Sequence, residues 1–336
     1  MIKYLGSKRQ LIPEILDAVK QAAPGARSVL DLFSGTSRVG HALKQAGFQV
    51  YANDHNTYAF MLAKCYVETD LEDIENAAKK LIDEFNRLPG KPGYFTQNFC
   101  EDARFFHPQN GEKIDAIRDA IEAHALSDEL KAVLLVSLME AADRVDSTCG
   151  LQMAYLKQWA PRAKNPLALR LPDVLPRAVQ GKGKALCLDA NQAAQTVVDV
   201  AYLDPPYNQH SYRGNYHIWE TLMRWDKPEA YGRARKRVDC KSVKSAFNSK
   251  VNFLAAFREV ILALKAKSLV VSFNNEGFIS RQEMEALLSQ KGKVDVRAID
   301  YKRYVGAQIG IYNPKGERVG KARHLYNQEY LYIVTA

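Results

Sequence analysis

Long apolar runs and paired cysteines are both missing from this 336-residue sequence. No stretch approaches the roughly eighteen consecutive apolar residues that span a membrane, and the first residues lack the apolar core of a signal peptide. The five cysteines form no C-x-x-C pair, and no histidine lies near them at zinc-binding spacing. We therefore expect a cytoplasmic protein with reduced thiols, no metal site and no membrane contact.

The glycine-rich fingerprint G-x-G-x-x-G is missing as well, which argues against a nicotinamide-dependent dehydrogenase. Positive charge, by contrast, is in excess, with 47 lysines and arginines against 38 acidic residues. Residues 233–250 are strongly basic, and a basic surface attracts polyanions. We interpret Arg233, Arg235, Lys236 and Arg237 as candidate contacts to nucleic-acid phosphates, and a solvated helix face is the alternative.

Hydrophobic periodicity predicts an α/β fold that begins near the N-terminus. An amphipathic helix over residues 9–22 precedes a buried strand at 28–33, a turn, a helix at 39–46 and a second strand at 48–52. Such a β-α-β unit is typical of a mononucleotide-binding half. The pattern resumes after residue 185, with predicted strands at 197–203 and 268–273, helices at 252–264 and 281–290, and a hairpin whose arms, 294–312 and 328–335, join through residues 313–316.

Between these parts, from Cys65 to Lys184, helical patterns replace the alternation of strands and helices. Helices are predicted at 71–86, 112–123 and 128–145, and Ser127 is placed to cap the last of them. We therefore predict a Rossmann-like sheet built from residues 1–64 and 185–336. Residues 65–184 are predicted to form a mostly helical insertion between the two halves of the sheet.

The strongest chemical motif is Asp204-Pro205-Pro206-Tyr207, which directly follows a predicted strand. An adenine amino group is a poor nucleophile because its lone pair is delocalised into the ring. An aspartate and a main-chain carbonyl, held in fixed directions by two prolines, can accept hydrogen bonds from its two N–H groups. These bonds help to localise the lone pair on the nitrogen. The tyrosine offers a flat face for an extruded base, and such stacking contributes about 1–3 kcal/mol.

A second motif, Asp31-Leu-Phe33-Ser-Gly35, occupies the first strand-to-helix turn. Ligands of open α/β sheets bind at the carboxyl ends of strands, where a glycine lets the backbone approach them. Asp54 ends the second predicted strand and is placed to accept hydrogen bonds from ribose hydroxyls. By itself the turn motif is compatible with a purely structural role.

Together these motifs resemble the D12 class, or alpha group, of N6-adenine DNA methyltransferases, and the resemblance extends over nearly the whole chain. Type II modification enzymes are the most similar members. The resemblance implies S-adenosyl-L-methionine as cofactor, double-stranded DNA as substrate and flipping of the target base. It also makes a cognate restriction endonuclease a candidate partner. The family's cofactor-binding positions correspond here to Tyr4, Lys8, Asp31, Phe33, Gly35, Asp54, Asp189 and Asp204.

Two alternatives stay open: an RNA methyltransferase on the same fold, and a DNA-binding subunit that has lost catalysis. The insertion favours DNA, because enzymes that act at specific DNA sequences need a separate element to read them. Candidates for that reading are Arg144, Gln152, Lys157 and Arg162. His217 and Trp219 lie on a probable helix and are predicted to be packing residues rather than catalysts.

Overall fold

The computed structural model describes residues 1–207, 209, 211–302, 311–312, 318–320 and 326–336. Within them the strands, in chain order, are β1 (Ser28–Asp31), β2 (Gln49–Asn53), β3 (Lys184–Leu186), β4 (Val198–Leu203), β5 (Ala230–Tyr231), β6 (Lys236–Arg237), β7 (Ala266–Asn274), β8 (Lys293–Lys302), β9 (Ile311–Tyr312), β10 (Arg318–Gly320) and β11 (Tyr326–Thr335).

The α-helices of the described residues are α1 (Ile12–Ala22), α2 (Arg38–Gln45), α3 (Thr57–Ala63), α4 (Leu71–Arg87), α5 (Tyr94–Thr96), α6 (Pro108–Ala123), α7 (Asp128–Arg144), α8 (Ala190–Ala193), α9 (Tyr212–Asn215), α10 (His217–Arg224), α11 (Phe253–Ala263) and α12 (Arg281–Leu288). Two π-helical turns, Lys64–Glu68 and Gln97–Glu101, continue α3 and α5. In the described part of the chain, no helix is long and apolar enough to cross a membrane.

Seven strands form one sheet in the order β3-β2-β1-β4-β7-β11-β8. Neighbouring strands from β3 to β7 are parallel, whereas β11 is antiparallel to both β7 and β8. The carboxyl ends of the five parallel strands therefore meet at one edge of the sheet. The chain leaves β1 toward β2 on one side while β4 lies on the other, and such a switch point opens a crevice for ligands. This confirms the predicted Rossmann-like α/β fold with one mixed sheet.

Most predicted elements are present, with ends displaced by a few residues. The two arms of the predicted C-terminal hairpin do pair, as β8 and β11, in a continuous antiparallel register from Lys302 with Tyr326 to Lys293 with Thr335. The predicted connecting residues 313–316 lie outside the described residues. Strand β3 was not predicted, because three residues are too few to show a periodicity.

Apolar side chains cover both faces of the sheet. On one face α1 and α2 pack on the strands through Ile15, Val19 and Leu43. On the other face α11 and α12 contribute Phe257 and Met284, among others, to a second cluster. The sheet is thus buried on both sides, as expected for parallel strands.

Residues 54–183 add no strand to the sheet. Their helices surround α7, which is buried along most of its length and begins at Ser127, whose side chain accepts a hydrogen bond from the Leu130 amide. The predicted cap is confirmed. The apolar side chains of these helices form one buried cluster, which also includes side chains of α10. The helical segment therefore shares a core with a helix that follows β4 in the chain. Trp219 is buried in this cluster and His217 is buried against its Phe99 and Phe105 rings, which confirms that both are packing residues.

Arg118 of α6 links this segment to α10. Its guanidinium is 1% exposed and donates hydrogen bonds to the carbonyl oxygens of Leu222 (2.7 Å) and Met223 (3.0 Å), at the end of α10. The last carbonyls of a helix have no partner within the helix, so they need outside donors when buried. Arg118 therefore satisfies the buried end of α10.

Replacing Arg118 with leucine should lower the free energy of unfolding by about 2–4 kcal/mol, because two buried carbonyls lose their donors. Urea unfolding followed by circular dichroism would measure this. The matched control is Arg87→Leu in the last turn of α4, where the side chain is exposed. An Arg118→Leu loss no greater than that of the control would contradict the linking role.

Candidate active site

A cavity of about 470 Å³ lies at the carboxyl edge of the sheet. Its volume is within the range of small-molecule sites, about 300–1,000 Å³. The residues around it come from segments far apart in sequence, including the N-terminal segment, the turns after β1 and β2, and the chain after β3 and β4. Among the residues predicted from the sequence, those that line it are Tyr4, Lys8, Asp31, Phe33, Gly35, Asp54, Asp189, Asp204 and Pro206.

The turn after β1 is held by the buried carboxylate of Asp31, which accepts a hydrogen bond from the Gly40 amide at 3.0 Å. Gly35 has a φ of +50° and faces the Tyr4 ring, so a side chain there would be strained. Ser37 adopts the left-handed conformation with φ +57°, which is uncommon for a residue other than glycine.

Asp54 closes the same turn from the neighbouring strand. One carboxylate oxygen accepts a hydrogen bond from the Gly35 amide at 3.1 Å, and the other accepts from the Asn56 amide at 2.9 Å. These bonds fix the direction of the carboxylate beside the cavity. Asp189 also lines the cavity; it is exposed and caps α8 by accepting a hydrogen bond from the Asn191 amide.

Asp204 comes directly after β4, and its carboxylate lies 3.1 Å from the ammonium nitrogen of Lys8. Burial raises the pKa of Asp204 to about 6, while Lys8 opposes this rise and the nearby Glu329 adds to it. Burial also raises the pKa of Asp31, to about 8, and the neighbouring charge of Asp204 acts in the same direction. Asp31 and Asp204 therefore hold their protons more strongly than they would in water.

The rest of the Asp-Pro-Pro-Tyr motif is less exposed to the cavity. Pro205 is buried, and the Tyr207 ring packs edge-on against Phe273 with ring centroids 5.6 Å apart. Neither is among the residues that line the cavity. The core, through Phe273, thus supports the Tyr207 ring from one side.

Sequence reasoning missed an aromatic stack beside the cavity. The Tyr4 ring is stacked on Tyr212, with centroids 5.2 Å apart, and on Tyr216, at 4.6 Å. The Tyr4 hydroxyl is 3.1 Å from that of Tyr58. The spacing of Tyr212 and Tyr216, four residues apart, is a signal for one face of a helix, but it does not reveal the partner Tyr4 more than 200 residues earlier.

The structure corrects part of the predicted phosphate-binding run. Arg237 is only 2% exposed, and its guanidinium is bonded to the carboxylates of Asp226 and Asp239. Arg235 pairs with Asp102 at 3.3 Å. The interpretation of Arg237 as a phosphate contact is wrong, because its charge is already neutralised inside the protein. Lys244, in contrast, is exposed and lines the cavity mouth.

A second correction concerns the residues expected to read bases. Gln152 is 3% exposed, and its side-chain oxygen accepts a hydrogen bond from the Ile218 amide at 2.8 Å. Its amide group supports the start of α10 and is not available to a base. Arg162 forms an ion pair with Asp146 at 2.8 Å, and Lys157 is exposed.

Comparison with known proteins gives the family. The sequence model described as D12 class N6 adenine-specific DNA methyltransferase matches residues 4–287, which is most of the chain. The chain belongs to this family. The resemblance inferred from the motifs is thereby confirmed.

Individual modification methylases and type II methyltransferases are similar to this chain over most of its length. Modification methylase StsI of Streptococcus sanguinis is 31% identical over 327 residues, which cover 92% of this chain and 50% of that protein. Type II methyltransferase M.NlaIII of Neisseria lactamica is 28% identical over 347 residues, 99% of each chain. M.FokI of Planomicrobium okeanokoites is 30% identical over 333 residues, 90% of this chain and 50% of its own. The chain thus spans about half the length of StsI and M.FokI and nearly all of M.NlaIII.

The raised pKa of Asp31 makes stability depend on pH. The folded protein holds this proton up to about pH 8, whereas an unfolded aspartate releases it near pH 4. Between these values the folded state binds more protons, so the free energy of unfolding falls as pH rises, by up to about 1.4 kcal/mol per pH unit. Asp31→Asn should reduce that slope, and urea unfolding at several pH values would measure it. Asp83→Asn, at an exposed position of α4, is the control. An unchanged slope in Asp31→Asn would contradict this prediction.

Proposed function

We propose that this chain transfers a methyl group from S-adenosyl-L-methionine to the exocyclic N6 of an adenine flipped out of double-stranded DNA, at a specific target sequence. The observation that carries the proposal is the place of Asp204. Its carboxylate follows β4 and lines the same cavity as the turn after β1, beside the switch point of the sheet. A hydrogen-bond acceptor for the adenine amino group and a site for a small molecule therefore share one cavity.

Asp204 supplies the acceptor that the amino group needs. Above a pH of about 6 its carboxylate is ionised, so it can accept a hydrogen bond from an N6–H. A main-chain carbonyl of the Pro205–Pro206 turn offers a second acceptor in a fixed direction. Two acceptors on the two hydrogens draw electron density toward N6 and orient its lone pair. Tyr207, supported by Phe273, provides the face on which the base stacks.

The cavity also fits the proposed cofactor. Among the residues of its wall, Ser34, Arg38 and Arg213 each carry a buried donor, Oγ or Nε, that has no hydrogen-bond partner within the described part of the chain. Buried donors without partners are unfavourable unless a ligand satisfies them, and a carboxylate would do so. Asp54 and Asp189 would accept hydrogen bonds from the hydroxyl and amino groups of an adenosine. When bound, S-adenosyl-L-methionine supplies an activated methyl group.

We further propose that the helical segment 65–184 is the target-recognition domain. The similarity to enzymes named as modification methylases supports a place in a restriction-modification system, with a cognate endonuclease as partner and DNA in the cytoplasm as substrate. Flipping an adenine costs a few kcal/mol of stacking and pairing. Contacts from a separate segment to the flanking duplex would offset that cost.

Asp204→Ala should abolish methyl transfer and leave the fold and most of the DNA affinity in place, because that affinity comes mainly from phosphates. Tyr207→Phe is the matched control in the same loop: it keeps the stacking ring and should retain substantial activity. Methylation of genomic DNA by the purified protein, read out by single-molecule sequencing, gives the base and the target together. Near wild-type methylation by Asp204→Ala would contradict the proposed mechanism.

Lys244→Glu should weaken binding to all duplexes by a similar factor and lower the slope of log affinity against log salt by about 1, since Lys244 is exposed beside the cavity. Fluorescence anisotropy with specific and unrelated duplexes would measure both quantities. Lys20→Glu, on the exposed face of α1, carries the same change of charge and serves as control. A loss confined to the target duplex would mean that Lys244 reads bases.

A further inference from the structure

Glu329 is a buried acid in an apolar strand. It belongs to β11, is 4% exposed, and is paired in register with Asn274 at the end of β7. Because β11 runs antiparallel to β7, an early residue of β11 reaches the edge where the parallel strands end. The strand thereby delivers a carboxylate to the same edge as Asp204, although the two residues are far apart in sequence.

Lys8 lies between these two carboxylates. Its ammonium nitrogen is 2.5 Å from an oxygen of Glu329 and 3.1 Å from an oxygen of Asp204, and the lysine is 8% exposed. The hydroxyl of Ser272, on β7, donates a hydrogen bond of 2.6 Å to the same Glu329 oxygen. Glu329 is therefore fixed from two sides, and its shorter contact to the ammonium is the stronger one.

If the ammonium of Lys8 paired with Asp204 alone, the Asp204 carboxylate would be a weaker hydrogen-bond acceptor. Inside a protein an opposite charge within about 4–6 Å strongly favours the ionised form of a carboxylate and weakens it as a hydrogen-bond acceptor. A second carboxylate on the ammonium opposes this effect. We propose that Glu329 is a positioning residue for Asp204: by binding the other side of Lys8, it limits the neutralisation of Asp204 and preserves the strength with which this carboxylate accepts the adenine amino group.

The inference rests on the proposed role of Asp204 in methyl transfer. Other titratable groups also interact with this carboxylate: Asp31 of β1, Tyr202 of β4 and Tyr212 of α9. They are the same in every variant considered below. A difference between variants therefore reports on Lys8 and Glu329.

A purely structural role for Glu329 would be to tie the N-terminal segment to β11. Such a role predicts a loss of stability in Glu329→Gln without a defined change in the titration of Asp204. The proposed role predicts opposite changes in two variants. Removing Glu329 should lower the pKa of Asp204, whereas removing Lys8 should raise it.

The experiment is a carbon-13 NMR titration of the ligand-free protein, labelled at the aspartate carboxyl carbons. Asp204→Asn identifies the resonance of interest. In Glu329→Gln the midpoint of that resonance should fall by about one pH unit, and in Lys8→Met it should rise by at least as much. In the double variant Lys8→Met/Glu329→Gln the midpoint should lie between those of the two single variants. Glu75→Gln, in an exposed pair with Lys79, is the matched control and should not move it.

The double variant removes both partners of the Lys8–Glu329 ion pair, so it leaves neither of these two charges buried alone and protects the test against misfolding of a single variant. If Glu329→Gln does not fold, the same comparison is made between Lys8→Met and the double variant, where loss of Glu329 should again lower the midpoint. A midpoint that is unchanged or raised on removal of Glu329 would overturn the proposal.

Activity is measured separately, as the pH dependence of kcat/KM for a target duplex. Its acid limb should shift in the same direction as the NMR midpoint in each variant. Absence of adenine methylation by the wild-type protein would defeat the proposed function and leave the titration interpretable. Normal wild-type methylation with an unshifted acid limb in Glu329→Gln would defeat only the inference on Glu329.

Discussion

The pairing of β1 with β4 is the constraint on which the rest of the site depends. The two strands are parallel neighbours, with Val29 opposite Val200 and Asp31 opposite Tyr202, although about half the chain separates them. This register places the turn after β1 beside the start of the Asp-Pro-Pro-Tyr motif. The long intervening segment must therefore leave the sheet after β2 and return at β3, which is the edge strand next to β2. A large helical insertion is compatible with the sheet because its two ends lie side by side.

The same pairing produces an electrostatic problem. Carboxyl groups at the ends of neighbouring parallel strands repel one another, and burial penalises their ionised forms. Two devices limit the penalty here. Asp31 holds its proton to about pH 8 and accepts a hydrogen bond from the Gly40 amide, and Lys8 contributes a positive charge between Asp204 and Glu329. The pKa of Lys8 is well above its usual range because the attraction of these carboxylates exceeds the effect of burial. Without this lysine, no positive charge would compensate the buried carboxylates. A buried cluster of titratable groups of this kind is typical of sites that serve chemistry rather than stability.

The sequence predicted those helices, strands and motifs that depend only on residues close together in the chain. The strand periods, the Ser127 cap and the order of the motifs were enough to place most strands and the residues around the cavity. What escaped prediction depends on contacts between distant parts of the chain. Arg237 lies in a basic run, yet Asp226 and Asp239 neutralise its charge. Gln152 was a candidate for reading bases but supports α10. Glu329 carried a signal, since an acid within an apolar strand requires a partner. Its partner Lys8 lies 321 residues away, and no local pattern identifies it.

The shared core of the helical segment and α10 has a consequence for how target recognition could reach the chemistry. The buried Glu220 of α10 accepts a hydrogen bond from the Tyr58 amide at 3.1 Å, and the Tyr216 hydroxyl accepts one from the Leu5 amide at 2.7 Å. Tyr216 also stacks on Tyr4, four residues before Lys8. Packed groups thus connect the helical segment, through α10, to the N-terminal segment that carries Lys8. If residues 65–184 read the DNA target, as proposed, correct docking would act on the catalytic carboxylate through the position of its ammonium neighbour. Specificity would then arise in the chemical step as well as in binding, because a misplaced Lys8 would alter the acceptor strength of the Asp204 carboxylate even when the base is in the cavity.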